Sequence, residues 1–138
     1  MKVEEFFSSI YSYRARCPDD NLRYPRKSRI HDGDTCRLDV DCGFGMVLER
    51  REMRLWGINA PEINKPDTKD AGIRVRDYLS SLILGRTDLG LETVKDSTDS
   101  LGSRYLAKIY LPLSDGSMLF VNDDLVAKFP NDVVIFMR

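Results

Sequence analysis

Histidine is almost missing from this chain: His31 stands alone among 138 residues. One imidazole leaves too few ligands for a histidine-based zinc site. It also leaves serine–histidine catalysis a single candidate base, with no nucleophile-elbow pattern around it. Cysteine is scarce too. Cys17, Cys36 and Cys42 form no C-x-x-C pair, and an odd count makes a poor disulfide framework. No apolar run approaches the ~20 residues needed to cross a bilayer, so no membrane association is expected. The stretch "MKVEEFFSSIYSYRAR" carries two glutamates where a signal peptide would hold only positive charge, and it lacks a continuous apolar core. An intracellular location is therefore expected. The net charge of −1 supplies no global attraction for polyanions. Carboxylates and arginines remain as the chemical equipment.

Apolar residues make up 42% and charged residues 31%, values that fit one globular domain able to bury a core without staples. Near the N-terminus, Val3, Phe6, Phe7, Ile10 and Tyr11 fit a short amphipathic helix, while the alternation of Tyr11 and Tyr13 equally fits a strand. "CPDDNLRYPRK" is rich in turn formers and reads as a loop. Cys36, Leu38, Val40 and Cys42 then alternate with Arg37, Asp39 and Asp41, which predicts a half-buried strand with core thiols and an outward polar face. "CGFG" turns the chain into a second strand, "MVLERREMRLWGI".

"DTKDAGIRVRDYLSSLILG" predicts a helix. Ala71, Val75, Tyr78, Leu79, Leu82 and Ile83 line one stripe, Asp67 or Thr68 can cap the start and Gly85 the end. "DLGLETV" and "RYLAKIYL" predict two more strands and "SDGS" a hairpin turn. "VNDDLVAKF" predicts a short helix capped by Asn122. Strands interrupted by a helix in a chain this small suit a small α+β barrel such as an OB-fold, with two to three helices. Residues 1–29 are expected to form an N-terminal extension and residues 30–138 the barrel domain.

Three stretches carry possible chemistry. "DGDT" places the carboxylates of Asp32 and Asp34 on a glycine turn, oxygen ligands of the kind a hard cation takes. "NAPE" follows a strand, and its proline keeps the backbone at Ala60 extended, so that Asn59, the Ala60 carbonyl and Glu62 fall within a few residues. Arg54 and Arg104 sit on polar strand faces, and arginine suits a bidentate grip on phosphate oxygens. Each stretch alone is common. A further run, "RYPRKSR", holds Arg23, Arg26, Lys27 and Arg29 without an anion. It reads either as a solvated loop or as a steering surface for a phosphate backbone, which makes these four candidate substrate contacts.

Taken together, D-G-D-T, R-L-x-G-I-x-x-P-E and R-Y-L-A in this order resemble the staphylococcal (micrococcal) nuclease-like family, the thermonucleases. The resemblance spans about residues 30–129. It implies a five-stranded OB-type barrel that cleaves the phosphodiesters of DNA and RNA with one Ca2+, as an endonuclease leaving 3′-phosphate ends. It further implies that Asp34, Asn59 and the Ala60 carbonyl hold the cation, with Asp32 beside them. Glu62 falls on the residue that activates or orients water, and Arg54 and Arg104 on the phosphate-binding arginines. No obligate protein partner is implied.

The chain departs from that pattern in three places. Asn59 stands where the family commonly has Asp, which predicts weaker cation binding. "LGSRYLA" carries one residue more before Arg104 than the pattern expects. The segment "FPNDVVIFMR" leaves the family's last helix short or absent. Two other readings stay open: an OB-fold module that binds nucleic acid without cleaving it, and an interaction protein with incidental carboxylates.

Overall fold

A computed structural model describes residues 11–95 and 105–138. The elements run β1 (Tyr11–Arg16), β2 (Ile30–Asp32), β3 (Thr35–Asp41), β4 (Val47–Leu55), β5 (Ile58–Asn59), α1 (Lys69–Ile83), β6 (Leu89–Lys95), β7 (Tyr105–Pro112), β8 (Met118–Phe120), α2 (Val121–Lys128) and β9 (Val134–Ile135). Of the two readings for residues 3–11, the strand holds at Tyr11, which opens β1; residues 3–10, like Arg104, lie outside the described residues.

The period-2 alternation of β3 sends Cys36, Leu38 and Val40 into the core, each no more than 5% exposed. Antiparallel pairing continues from β3 to β4, and β1 pairs with both β3 and β6. β6 lies antiparallel to β7, and β7 runs parallel to β4 through Arg54↔Leu106 and Leu55↔Ala107. The order β1-β6-β7-β4-β3 therefore returns to β1, a closed five-stranded barrel of the OB type within an α+β fold. Closure removes every edge that a five-stranded open sheet would expose.

The expected boundary after residue 29 does not hold. β1 is a full barrel strand, so the domain includes residues 11–29. The alternation of Tyr11 and Tyr13 fitted this strand, but its one fully buried residue is Ala15 and Tyr11 stays half exposed, so nothing in it marked a place in the barrel.

The outward face of β3 also differs from expectation. Asp39 is 4% exposed because the loop of residues 17–29 folds over it. Arg29 reaches Asp39 at 2.8 Å and Asp20 at 2.6 Å, Arg50 reaches Asp20 at 2.7 Å, and Arg16 reaches Asp39 at 3.2 Å. The hydrogen bonds from Arg29 hold the Asp20 carboxyl well below the ordinary carboxylate range. Burial alone would raise Asp39, but its bonds to Arg29, the Arg50 amide and Arg16 outweigh that and leave it lowered. Charges paired on every side can be buried, and this network ties the loop to the barrel.

α1 buries Val75, Leu79 and Ile83 of the expected stripe, and Gly85, at φ 84°, ends the helical run. Thr68 occupies the N-cap position without capping by its side chain; its hydroxyl donates to the Glu62 carbonyl at 2.6 Å instead. Asn122 is not a cap either. Phe120 precedes α2, and Asn122 lies fully buried, donating from Nδ2 to the carbonyls of Trp56 and Ala107 while its Oδ1 accepts from the Ile109 amide. That one amide joins α2 to the end of β4 and to β7. In place of a further helix, the chain beyond α2 forms β9, antiparallel to β5.

Candidate active site

The mouth of the barrel is built where β2 turns into β3 and where β4 ends. Asp34 sits at the turn, 7% exposed, and its backbone carbonyl accepts from the Leu55 amide at 2.8 Å. Its Oδ2 accepts from the Ala60 amide at 2.9 Å and its Oδ1 from the Thr35 hydroxyl at 3.2 Å. The "DGDT" and "NAPE" stretches are thus bonded to each other directly. Asp32 accepts from the Asp34 amide at 3.2 Å.

Two glycines permit this approach. A methyl group on Gly33 would stand 2.3 Å from Val75 Cγ1 and 2.9 Å from the Ala60 methyl. One on Gly72 would stand 2.8 Å from the Pro61 carbonyl oxygen. α1 is therefore packed against both turns, once through each glycine. Gly72 had a legible signal: glycine inside a good helix costs about 1 kcal/mol relative to Ala and calls for a packing reason.

A cleft of about 760 Å³ opens over these turns, and Asp32, Asp34, Arg54, Asn59, Ala60 and Glu62 all line it. Arg54 extends from β4, with one terminal nitrogen on Asn59 Oδ1 and 3.9 Å from Asp34 Oδ2. Glu62 is exposed at the rim, 3.3 Å from Lys65 Nζ. Lys95, Trp56, Phe136 and Met137 line the cleft as well and escaped sequence reading. Trp56 stands two positions after Arg54, the spacing that puts both on one face of a strand. Phe136 and Met137 come from a tail whose "VVIF" run has the β-branched and aromatic composition of a strand.

The cations of "RYPRKSR" separate. Arg23, Arg26 and Lys27 are exposed on the loop and do not line the cleft. Arg29 is 2% exposed in its pairs with Asp20 and Asp39, so its task is structural and it presents no surface to a substrate. Nothing in the local sequence distinguishes it, because its carboxylate partners sit nine and ten residues away.

Burial, followed by the neighbouring Asp34 carboxyl, pushes Asp32 up to about 6. Asp34 and Asp32, the Asn59 amide oxygen and the Ala60 carbonyl are all oxygen donors, the type that Ca2+ takes. Among the described residues no group of three or more His, Cys, Asp or Glu side chains could hold a metal ion. A cation here would depend on amide and peptide oxygens beside two carboxylates. The cysteines take no part: Cys36 is fully buried, with its thiol pushed far up by burial, and Cys17 is pushed up to about 12 in the same way.

No protein-family model matches the chain, and no curated protein matches it. Among the described residues, no helix is long and apolar enough to cross a membrane.

Proposed function

We propose that the protein is a metal-dependent nuclease that hydrolyses phosphodiester bonds of DNA or RNA. One observation carries this reading: a single cleft gathers Asp34, Arg54, Asn59 and Glu62 from separate stretches, with the Asp34 carboxylate bonded to the backbone of "NAPE". Asp34, Asn59 and the Ala60 carbonyl are the proposed holders of Ca2+, with Asp32 beside them. When bound, the cation supplies positive charge beside the phosphoryl oxygens.

The chain's own groups account for the rest. Glu62 stands at the rim with its carboxylate open to water, where it accepts a proton from the attacking water. The water oxygen bonds to phosphorus, the P–O5′ bond breaks, and the departing oxygen takes a proton from solvent water. Arg54 has five N–H donors and spends one nitrogen on Asn59, which leaves the other nitrogens to bind non-bridging oxygens as their charge grows. Arg104, named by the motif resemblance, is proposed as the second arginine on the phosphate. The bond from Arg54 holds Asn59 in place and draws on the oxygen that would face the cation, consistent with weak metal affinity.

A second reading, a non-cleaving OB-fold module that binds nucleic acid, is favoured by the absence of a three-acid group among the described residues. Cleavage of single-stranded DNA and RNA by purified protein separates the two. Hydrolysis that needs Ca2+, stops in EDTA and is lost in Glu62→Gln is the expected result. No hydrolysis at millimolar Ca2+ leaves the binding module.

A further inference from the structure

A second pocket, of about 290 Å³, opens at an end of the barrel lumen. Each barrel strand gives it a residue: Tyr13 on β1, Val40 on β3, Met53 on β4, Thr93 on β6 and Tyr105 on β7. It shares no described residue with the candidate active site. Beyond it β3 and β4 run on as a hairpin arm. Val40 pairs with Leu48, and the Cys42 amide donates to the Met46 carbonyl at 2.9 Å. Cross-strand partners share a face, so Cys42, Leu48 and Met46 carry the apolar lining outward from Val40. Met46, Leu48 and Tyr11 at the rim are each about half exposed.

The tip of the arm carries Phe44, and its ring is fully exposed. Phe44 stands in the left-handed region at φ 56°, between Gly43 at 76° and Gly45 at 73°. That conformation is an outlier for a bulky side chain. A fully exposed ring makes no packing contact to offset its cost within the chain. Phe44 is therefore an apolar knob beside an open apolar socket, both on one hairpin. A ring held away from its own socket fits the same socket of a second copy, and a two-fold axis seats the other knob at the same time. Such a contact closes after two copies. Arg51 and Glu52 both border the pocket, so the same axis sets unlike charges across from each other. With Tyr11, Met46, Leu48 and Tyr105, Phe44 presents roughly 500 Å² per copy, so a pair would bury about 1,000 Å², the scale of a reversible dimer.

We propose that the β3–β4 hairpin is a dimerisation surface, with Phe44 of each copy filling the barrel-end pocket of the other. The proposal is independent of the chemistry of the cleft. Sedimentation velocity of the full chain over a concentration series, with thiols kept reduced, measures the association. The rate at which iodoacetamide alkylates Cys42 reports where it occurs, because Cys42 lines the socket while Cys17 and Cys36 are buried. The wild type is expected to pass from one mass to twice that mass as concentration rises, with Cys42 alkylation slowing in step. Phe44→Ser is expected to raise the dimer dissociation constant about 30-fold or more, the scale of an aromatic hot spot. Its Cys42 should react at the dilute rate over most of the series. Its melting temperature at high dilution should not fall, since the ring packs against nothing in its own chain. Phe44→Leu keeps an apolar knob and is expected to dimerise more weakly than wild type but more tightly than Phe44→Ser. A single mass at every concentration would overturn the proposal. A dimer that survives Phe44→Ser, or that leaves the Cys42 rate unchanged, would place the contact on another face and overturn it too. So would a Cys42 already shielded in the dilute monomer, because residues 1–10 of the same chain would then be the cover.

Discussion

Asp32 and Asn59 set the charge of the cleft, and each can be tested by one atom-sized change. The folded-state pKa of Asp32 is raised to about 6 by burial and by the Asp34 carboxyl. The fold therefore favours the protonated acid. That stability is fully present below the ordinary carboxylate pKa and is lost as pH rises through about 6. A two-unit rise is worth about 3 kcal/mol at the limit, and solvent screening at a part-exposed group reduces it to about 1 kcal/mol. Asp32→Asn keeps an oxygen for the Asp34 amide and removes the titration. In EDTA its urea midpoint is expected to exceed the wild type's at pH 7–8 and to match it near pH 3. A constant offset across that range would refute the assignment. Asn59→Asp places a carboxylate beside the proposed cation position. Part of that charge would go to Arg54, so the expected gain is on the order of 1 kcal/mol, or about fivefold less Ca2+ for half-maximal cleavage. An unchanged calcium titration would show that position 59 does not meet the cation.

α1 does more than cover the barrel, since Gly33 and Gly72 bring it against both turns of the site. Gly72→Ala sets two effects against each other. Helix propensity favours Ala by about 1 kcal/mol. The new methyl, however, meets the Pro61 carbonyl oxygen at 2.8 Å, and backbone cannot rotate aside as a side chain can. Overpacking costs about 1–3 kcal/mol, so the net expectation is a small loss of stability with a larger loss of cleavage, because Glu62 follows Pro61 directly. Thermal melts and initial rates on the same preparation check this. A more stable, fully active variant would mean that the helix does not position Glu62. The two-residue strands β5 and β9 are likewise held by context rather than propensity, through Asn59↔Val134 and the bond from Phe136 to Gly57.

The network of Arg16, Asp20, Arg29, Asp39 and Arg50 decides how the loop of residues 17–29 joins the barrel. Because the folded pKa values of Asp20 and Asp39 are depressed, their contribution is present above about pH 4 and is lost as pH falls through the folded values. Arg29→Met removes the buried cation between them. At pH 7 it is expected to cost about 3–5 kcal/mol, since Asp39 is left buried with only the half-exposed Arg16 and the Arg50 amide to hold its charge. The difference from wild type should narrow below pH 4, where an under-paired Asp39 takes up a proton. Guanidinium is ionic, so urea melts at several pH values give the test. A gap that stays constant with pH would mean that Arg29 contributes through packing alone.

Local pattern made much of this protein legible. The alternation in β3 and β7, the stripe of α1 and the glycine turn at Gly116 all follow from side-chain periodicity and backbone sterics, which neighbours in the chain specify. An OB-type barrel suits the order of those elements, and Asp34, Arg54, Asn59 and Glu62, which line one cleft, stand in the three short motifs that carry the family resemblance. The positions that escaped are those whose partners lie far along the chain. Arg29 has the same local setting as Arg26 and Lys27, and only Asp20 and Asp39, nine and ten residues away, make it a buried ion pair instead of a surface cation. Asn122 looks like a helix cap until Trp56, 66 residues away, claims its amide. Phe136 belongs to the cleft only because β9 returns to β5. A residue's own chemistry and spacing say what it is able to do; which partner it meets, and therefore whether it is buried, paired or open, is fixed by closure of the barrel and the packing of α1 and the tail against it.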